Sequence, residues 1–215
     1  MVLDLTIPYT SIQRESSQPD AGTIFLDEIQ TTEAQVAELT AQGVNKIIVL
    51  THIGYGLDRD WIAQIEGVDV VVGGHSHSLL GDDETAVIAS PHGSYATLVT
   101  KADGSTTCVV QAWANSKAIG NLHVDFDEDG SVFSCVGNPV FPFNPEKVTV
   151  LDASPRYDLG SEDAYAVISS LVEQSGGQVK AIEEDPSAAA NLASFSGEVD
   201  ELKKCCSLFF RLYRS

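Results

Sequence analysis

Two apolar runs organise the first half of the chain. Val44–Leu50 ends in the unbroken Ile47-Ile48-Val49-Leu50, and Val68–Val72 is interrupted only by Asp69. Runs that do not alternate with polar residues belong to strands buried on both faces. Between them Asp58–Ile65 brings Trp61, Ile62 and Ile65 to one side of a short helix. Strand, helix, strand in that order predicts a right-handed βαβ unit with parallel strands. Upstream, Thr31–Gln42 predicts a helix with Val36 and Leu39 on its apolar side. Thr31 or Thr32 would cap it, Glu33 suits the first turn, and Gly43 stands past its end. Residues 1–30 read as irregular, with a polar loop from Ser11 to Gly22.

The pattern changes after His77. Ala86–Ser90, Ala96–Thr100, Cys108–Trp113, Asn121–Phe126 and Val132–Cys135 read as strands. Asp103-Gly104 and Asp129-Gly130 are hairpin signals between them. Pro139–Pro145 is proline-rich and extended. Glu162–Gln174 predicts a helix ended by Gly176-Gly177, and Val179–Lys204 reads as partly helical, broken at Pro186. The fold class is therefore α/β: a βαβ unit, an antiparallel meander, then C-terminal helices.

Charge narrows the partners. The 215 residues include 31 acidic and 12 basic ones, for a net charge of −19, and four of the basic residues follow Leu202. Such a polyanion is a poor non-specific binder of nucleic acid or of anionic membrane. No apolar run reaches the length of a membrane span, and Met1-Val2-Leu3-Asp4 has no signal-peptide character. The acidity reads first as a solubility feature. The four cysteines lack the paired spacing of a zinc site. Cys108 and Cys135 lie on separate predicted strands and can pair if those strands are neighbours. Otherwise they, and the vicinal Cys205-Cys206, read as buried or incidental thiols.

The candidate chemistry lies in histidine. Val70-Val71-Val72-Gly73-Gly74-His75-Ser76-His77 is a buried strand, two glycines and two histidines one residue apart. His52 likewise follows the run ending in Leu50-Thr51. Strand ends that both carry histidine predict a metal site at the carboxyl edge of the sheet, where open α/β sheets bind ligands. Imidazole is a neutral nitrogen donor suited to zinc, manganese and similar ions. Gly54, Gly73 and Gly74 read as permissive backbone around such a site. Ser76 fits a turn, and Asp58 a helix cap or an acceptor behind the site. His92 in a loop and His123 opposite Leu122 and Val124 read as exposed. Asp125, Asp127, Glu128 and Asp129 have the wrong spacing with Gly130 for a calcium loop and fit a hairpin turn.

LTHIGYGLD at positions 50 to 58 and VVVGGHSH at 70 to 77 resemble two signature blocks of the metal-dependent 5′-nucleotidases, within the calcineurin-like metallophosphoesterases. Leu5-Thr6-Ile7-Pro8-Tyr9-Thr10, Ser16-Ser17-Gln18-Pro19 and Ile24-Phe25-Leu26-Asp27 resemble the segment before them. Val109-Val110-Gln111-Ala112 and Gly120–Asp127 resemble the last strands of that catalytic domain. The resemblance implies part of a metallophosphoesterase α/β/β/α sandwich and two divalent metal ions, zinc, manganese or similar. His52 and His75 would share one metal and His77 would serve the other. No residue of this chain is assigned a catalytic role besides metal ligation.

The family's Asp-x-His block, bridging aspartate and Asn-His block precede the LTH block, and none lies among the forty-nine residues before Leu50. The expectation is thus the C-terminal half of a catalytic domain over residues 1–150, a helical linker region over 151–204 and an atypical basic, aromatic tail over 205–215. The linker would lead toward a nucleotide-binding domain. Together with the missing half, the chain would hydrolyse nucleotides or related phosphomonoesters to nucleoside and phosphate. The alternative is an inactive remnant that binds a metal or a partner. The resemblance also implies an extracellular or periplasmic location.

Overall fold

A computed structural model of the protein describes residues 2–5, 22, 24–144, 149–150, 157–158 and 161–196. Its main sheet has five strands in the order β1 (Val2–Leu5), β2 (Ile48–Thr51), β3 (Val70–Val72), β5 (Thr106–Val110) and β4 (Thr97–Thr100). β1, β2, β3 and β5 run parallel, with Ile48 opposite Val70 and Val70 opposite Cys108; β4 returns antiparallel. A second sheet joins β6 (Ile119–Phe126) antiparallel to β7 (Val132–Phe143), with β10 (Val179–Ala181) on β7's other side. The fold is mixed α/β.

The apolar runs are only partly buried on both faces: Ile48 and Leu50 of β2 are half-buried, and Val72 at the end of β3 is 38% exposed. Ile47, Val49, Val68 and Val71 are buried completely, beneath α1 (Glu28–Ala41), whose Val36 and Leu39 pack onto them. Each such side chain contributes about 1.5–3 kcal/mol of burial free energy. α2 (Tyr55–Asp60) and the 3₁₀ turn Ile62–Gln64 form the crossover between β2 and β3. Ile62 and Ile65 face the core, while Trp61 is 56% exposed and does not share their side.

Several expectations are corrected. Residues 2–5 form a strand, because Val2-Leu3-Asp4-Leu5 pairs with Ile48–Thr51 along the free edge of β2. α1 begins three residues before Thr31: the Asp27 carboxylate caps it, accepting the Gln30 N–H at 2.9 Å. Ala86–Ser90 is not a strand. Asp82 Oδ1 accepts the Thr85 N–H at 2.9 Å and the Thr85 hydroxyl at 3.0 Å, and this local turn winds Thr85–Val87 into 3₁₀ form. The strand beginning at Val132 continues through the proline-rich stretch to Phe143. Pro186 opens a helix over 186–196, where its missing N–H costs nothing, and Asp185 caps it at 2.8 Å from both the Ser187 and Ala188 N–H groups. The loop read from Ser11 lies outside the described residues, as does the tail over 205–215.

By density of contacts the chain divides into two compact units. The first is Met1–Pro142 with Ala166–Lys180, and it contains the main sheet and the histidines. It also contains a Cys108–Cys135 disulfide, which ties β5 to β7. These two cysteines are therefore paired, not incidental: the meander brings their strands together across the two sheets. The second is Phe143–Tyr165 with Ala181–Ser215. It includes the short antiparallel pair β8 (Thr149–Val150) and β9 (Tyr157–Asp158). A further helix, α3 (Ser161–Gln174), follows β9 in the chain.

Candidate metal centre

Because β2 and β3 are adjacent and parallel, their carboxyl ends share one edge of the sheet. His52 leaves β2 after Thr51, and Gly73-Gly74 leads from β3 to His75 and His77. The rings of His52 and His75 stand with centroids 5.3 Å apart and planes tilted by 58°. All three imidazoles are exposed. His77 does not complete a cluster: among the described residues, no three His, Cys, Asp or Glu side chains are placed to hold a metal ion together. Two neighbouring neutral imidazoles fit a divalent transition ion as two of its ligands. A zinc ion takes about four ligands in all, so the pair is half a donor set.

Two glycines make the approach possible. A Cβ at Gly74 would stand 3.0 Å from His52 Nδ1 and 3.3 Å from the Thr51 carbonyl oxygen. A Cβ at Gly73 would collide with the Asp58 carboxylate. Asp58 is not the cap of α2, as Gly54 occupies that position. It lies within the helix, fully buried, and neither of its carboxylate oxygens has a hydrogen-bond partner; the adjacent Thr51 hydroxyl has none either. Burial pushes the Asp58 carboxyl up to about 6, against a smaller lowering by the Thr51 hydroxyl.

The turn after β3 is polar throughout. His75 and His77 have φ of 70° and 54°, in the left-handed region. Ser76 does more than fill a turn: its Oγ accepts the Tyr55 N–H at 3.0 Å and lies 2.9 Å from Ser78 Oγ. Gln111, at the end of β5, is 2% exposed. Its Nε2 donates to the Gly74 carbonyl at 2.8 Å, and its Oε1 accepts the Ser76 hydroxyl at 3.1 Å and the Ser78 N–H. Sequence reading placed Gln111 on a strand and missed this contact. The one signal was a polar residue closing the apolar run Val109-Val110.

The remaining histidines lie where their sequence context puts them. His92 and His123 are exposed, His123 Nε2 being 3.1 Å from Asp125 Oδ1 on the same strand. Asp127 Oδ1 accepts the N–H groups of Asp129 and Ser131 at 3.0 and 2.9 Å, so that acidic stretch is a hairpin turn.

No family model matches the chain. In sequence it is 42% identical to the 5′-nucleotidase of Homo sapiens over 124 residues, which is 58% of this chain and 22% of that protein. It is 39% identical to the probable 5′-nucleotidase of Treponema pallidum over 159 residues, 73% of this chain and 27% of that protein. In structure it resembles the NAD nucleotidase of Haemophilus influenzae, with a TM-score of 0.76 and 26% identity over 94% of this chain and 40% of that one. The chain thus spans about a quarter of the length of these curated relatives. The structural likeness, over 94% of this chain, extends the resemblance seen in the signature blocks to the fold.

Proposed function

We propose, from this kinship with the metallophosphoesterase-type 5′-nucleotidases, that the chain carries later metal-binding strands of a nucleotide phosphomonoesterase. The observation that carries the reading is the His52–His75 ring pair at the ends of two adjacent parallel strands. These two residues would hold one divalent ion, and His77 would serve a second. Bound metal in such sites polarises a phosphoryl oxygen and supplies a nucleophilic water. The chain's own residues position the imidazoles: Gly73 and Gly74 allow the close approach, and Asp58 backs the turn from beneath. The substrate would be a nucleotide or a related phosphomonoester, released as nucleoside and phosphate. The Cys108–Cys135 disulfide favours an oxidising compartment, in keeping with an extracellular or periplasmic site.

The test is complementation. The chain is mixed with the N-terminal half of a 5′-nucleotidase catalytic domain, and phosphate release from adenosine 5′-monophosphate is followed with zinc or manganese. Metal-dependent release, lost in His52→Ala and His75→Ala, is expected. Failure of both the mixture and the chain to bind either metal would sink the reading.

A further inference from the structure

The three hydrogen bonds of Gln111 fall on one short segment. They reach the residue before His75, the residue between the two histidines and the residue after His77. That segment needs an external hold. Residues with a Cβ are strained in the left-handed region, and the two that adopt it in this segment are His75 and His77. An exposed turn with that strain and no anchor would relax to other conformers. The segment's own bonds do not fix it, because Ser76 and Ser78 lie within it and move with it. Gln111 does not, since it extends β5, whose register with β3 is set by Val70 opposite Cys108 and Val72 opposite Val110. The Gly73 N–H to Val110 carbonyl bond, 2.8 Å, and the Trp113 N–H to Ser78 carbonyl bond, 3.1 Å, bind the segment to β5 on both sides of the amide. The link extends to the other histidine. Ser76 Oγ, which donates to Gln111, also accepts the N–H of Tyr55, three residues after His52.

We propose that Gln111 is a positioning residue: its side-chain amide holds His75 and His77 in their left-handed conformation and, through Ser76 and Tyr55, sets their spacing from His52. The value of that spacing rests on the metal-binding reading of these histidines. The hold itself rests on the contacts alone.

The experiment uses the full chain with Gln111→Met, which keeps the length of the side chain and removes its donor and acceptor. Folding is checked by circular dichroism. Amide exchange is then read in metal-free protein, and zinc affinity by competition with a chelator. The Ser78 amide should exchange about five-fold faster or more, with Val71 and Val109 unchanged. Zinc affinity should fall about ten-fold or more, the range for loss of a group that orients a metal-binding histidine. Wild-type exchange at Ser78 and wild-type zinc affinity in a folded variant would overturn the proposal. If the wild-type chain itself binds no zinc, the metal reading fails and Ser78 exchange alone decides: faster exchange supports the hold, unchanged exchange ends it. If Gln111→Met does not fold, Ser76→Ala at an exposed position takes its place. It cuts the path to Tyr55, so either weaker zinc binding or faster Ser78 exchange supports the proposal, and the absence of both overturns it.

Discussion

The loop leaving β2 and the turn leaving β3 bring histidine to the same edge in different ways. After β2 the chain is held by packing: Ile53 is 5% and Tyr55 7% exposed, and the polar groups beneath them, Thr51 Oγ1 and the Asp58 carboxylate, are unpartnered. After β3 the chain is held by hydrogen bonds from Gln111, Ser76 and Ser78, around two residues in strained backbone. Packing tolerates an unpaired polar group only at a cost in stability. A hydrogen-bonded turn tolerates strain only while its anchor is intact. One half of the site should therefore respond to pH and to volume, and the other to loss of single polar atoms.

The two halves touch at Gly73, and a substitution there strikes both. Gly73→Ala drives a methyl group into the Asp58 carboxylate and toward Gln111 Nε2. It should cost about 3–4 kcal/mol, at the upper end for overpacking because the obstacle is a buried carboxylate; urea unfolding measures it. Asp58 distinguishes the packed half. Its folded carboxyl is raised to about 6 from an ordinary 3.8, by burial first. Stability from this group is fully present below the unfolded value and is lost as pH rises through the folded one. Metal-free protein should therefore lose up to about 3 kcal/mol between pH 4 and pH 7, at about 1.4 kcal/mol for each pH unit that separates the folded and unfolded values. Asp58→Asn should flatten that slope in urea titrations run across the same window.

Smaller effects refine the contrast. Tyr55→Phe removes the 2.8 Å bond between its hydroxyl and Thr97 Oγ1, the main side-chain polar contact of the packed half. A loss of about 1 kcal/mol in thermal or urea unfolding is expected. His75→Gly should act in the opposite sense. It relieves the left-handed backbone and should raise metal-free stability by about 0.5–1 kcal/mol while weakening zinc binding. A stabilised variant that binds metal less well would show that the turn trades stability for the placement of a ring.

The strands that carry the histidines could be read directly, since Ile47–Leu50 and Val68–Val72 hold no polar residue besides Asp69 and each is followed closely by glycine and histidine. The pairing of His52 with His75 follows from one rule, that βαβ strands are parallel neighbours. The hold from Gln111 could not be read the same way. It depends on β5 sitting beside β3, and tens of residues of meander separate them in the chain, so local pattern says nothing of it. The Cys108–Cys135 pairing could be read only as conditional, since local pattern does not say whether their two strands are neighbours. Ala86–Ser90 was misread for a local reason: small alternating residues mimic a strand, but Asp82 and Thr85 close a turn that outcompetes any ladder. At Asp27 the misreading was one of rank, as a carboxylate caps α1 ahead of the threonines downstream.

The Cys108–Cys135 bond has one more consequence, for how the molecule would survive damage. It closes a covalent ring between cysteines 27 positions apart in the chain, and the ring includes the exposed tip between β6 and β7. A single proteolytic cut anywhere inside that ring opens the backbone without releasing either piece. The nicked protein would migrate as one species on a non-reducing gel and as two after a thiol is added. Both histidine-bearing strands would remain on the longer piece of main sheet, still tethered to the hairpin strand that follows the cut.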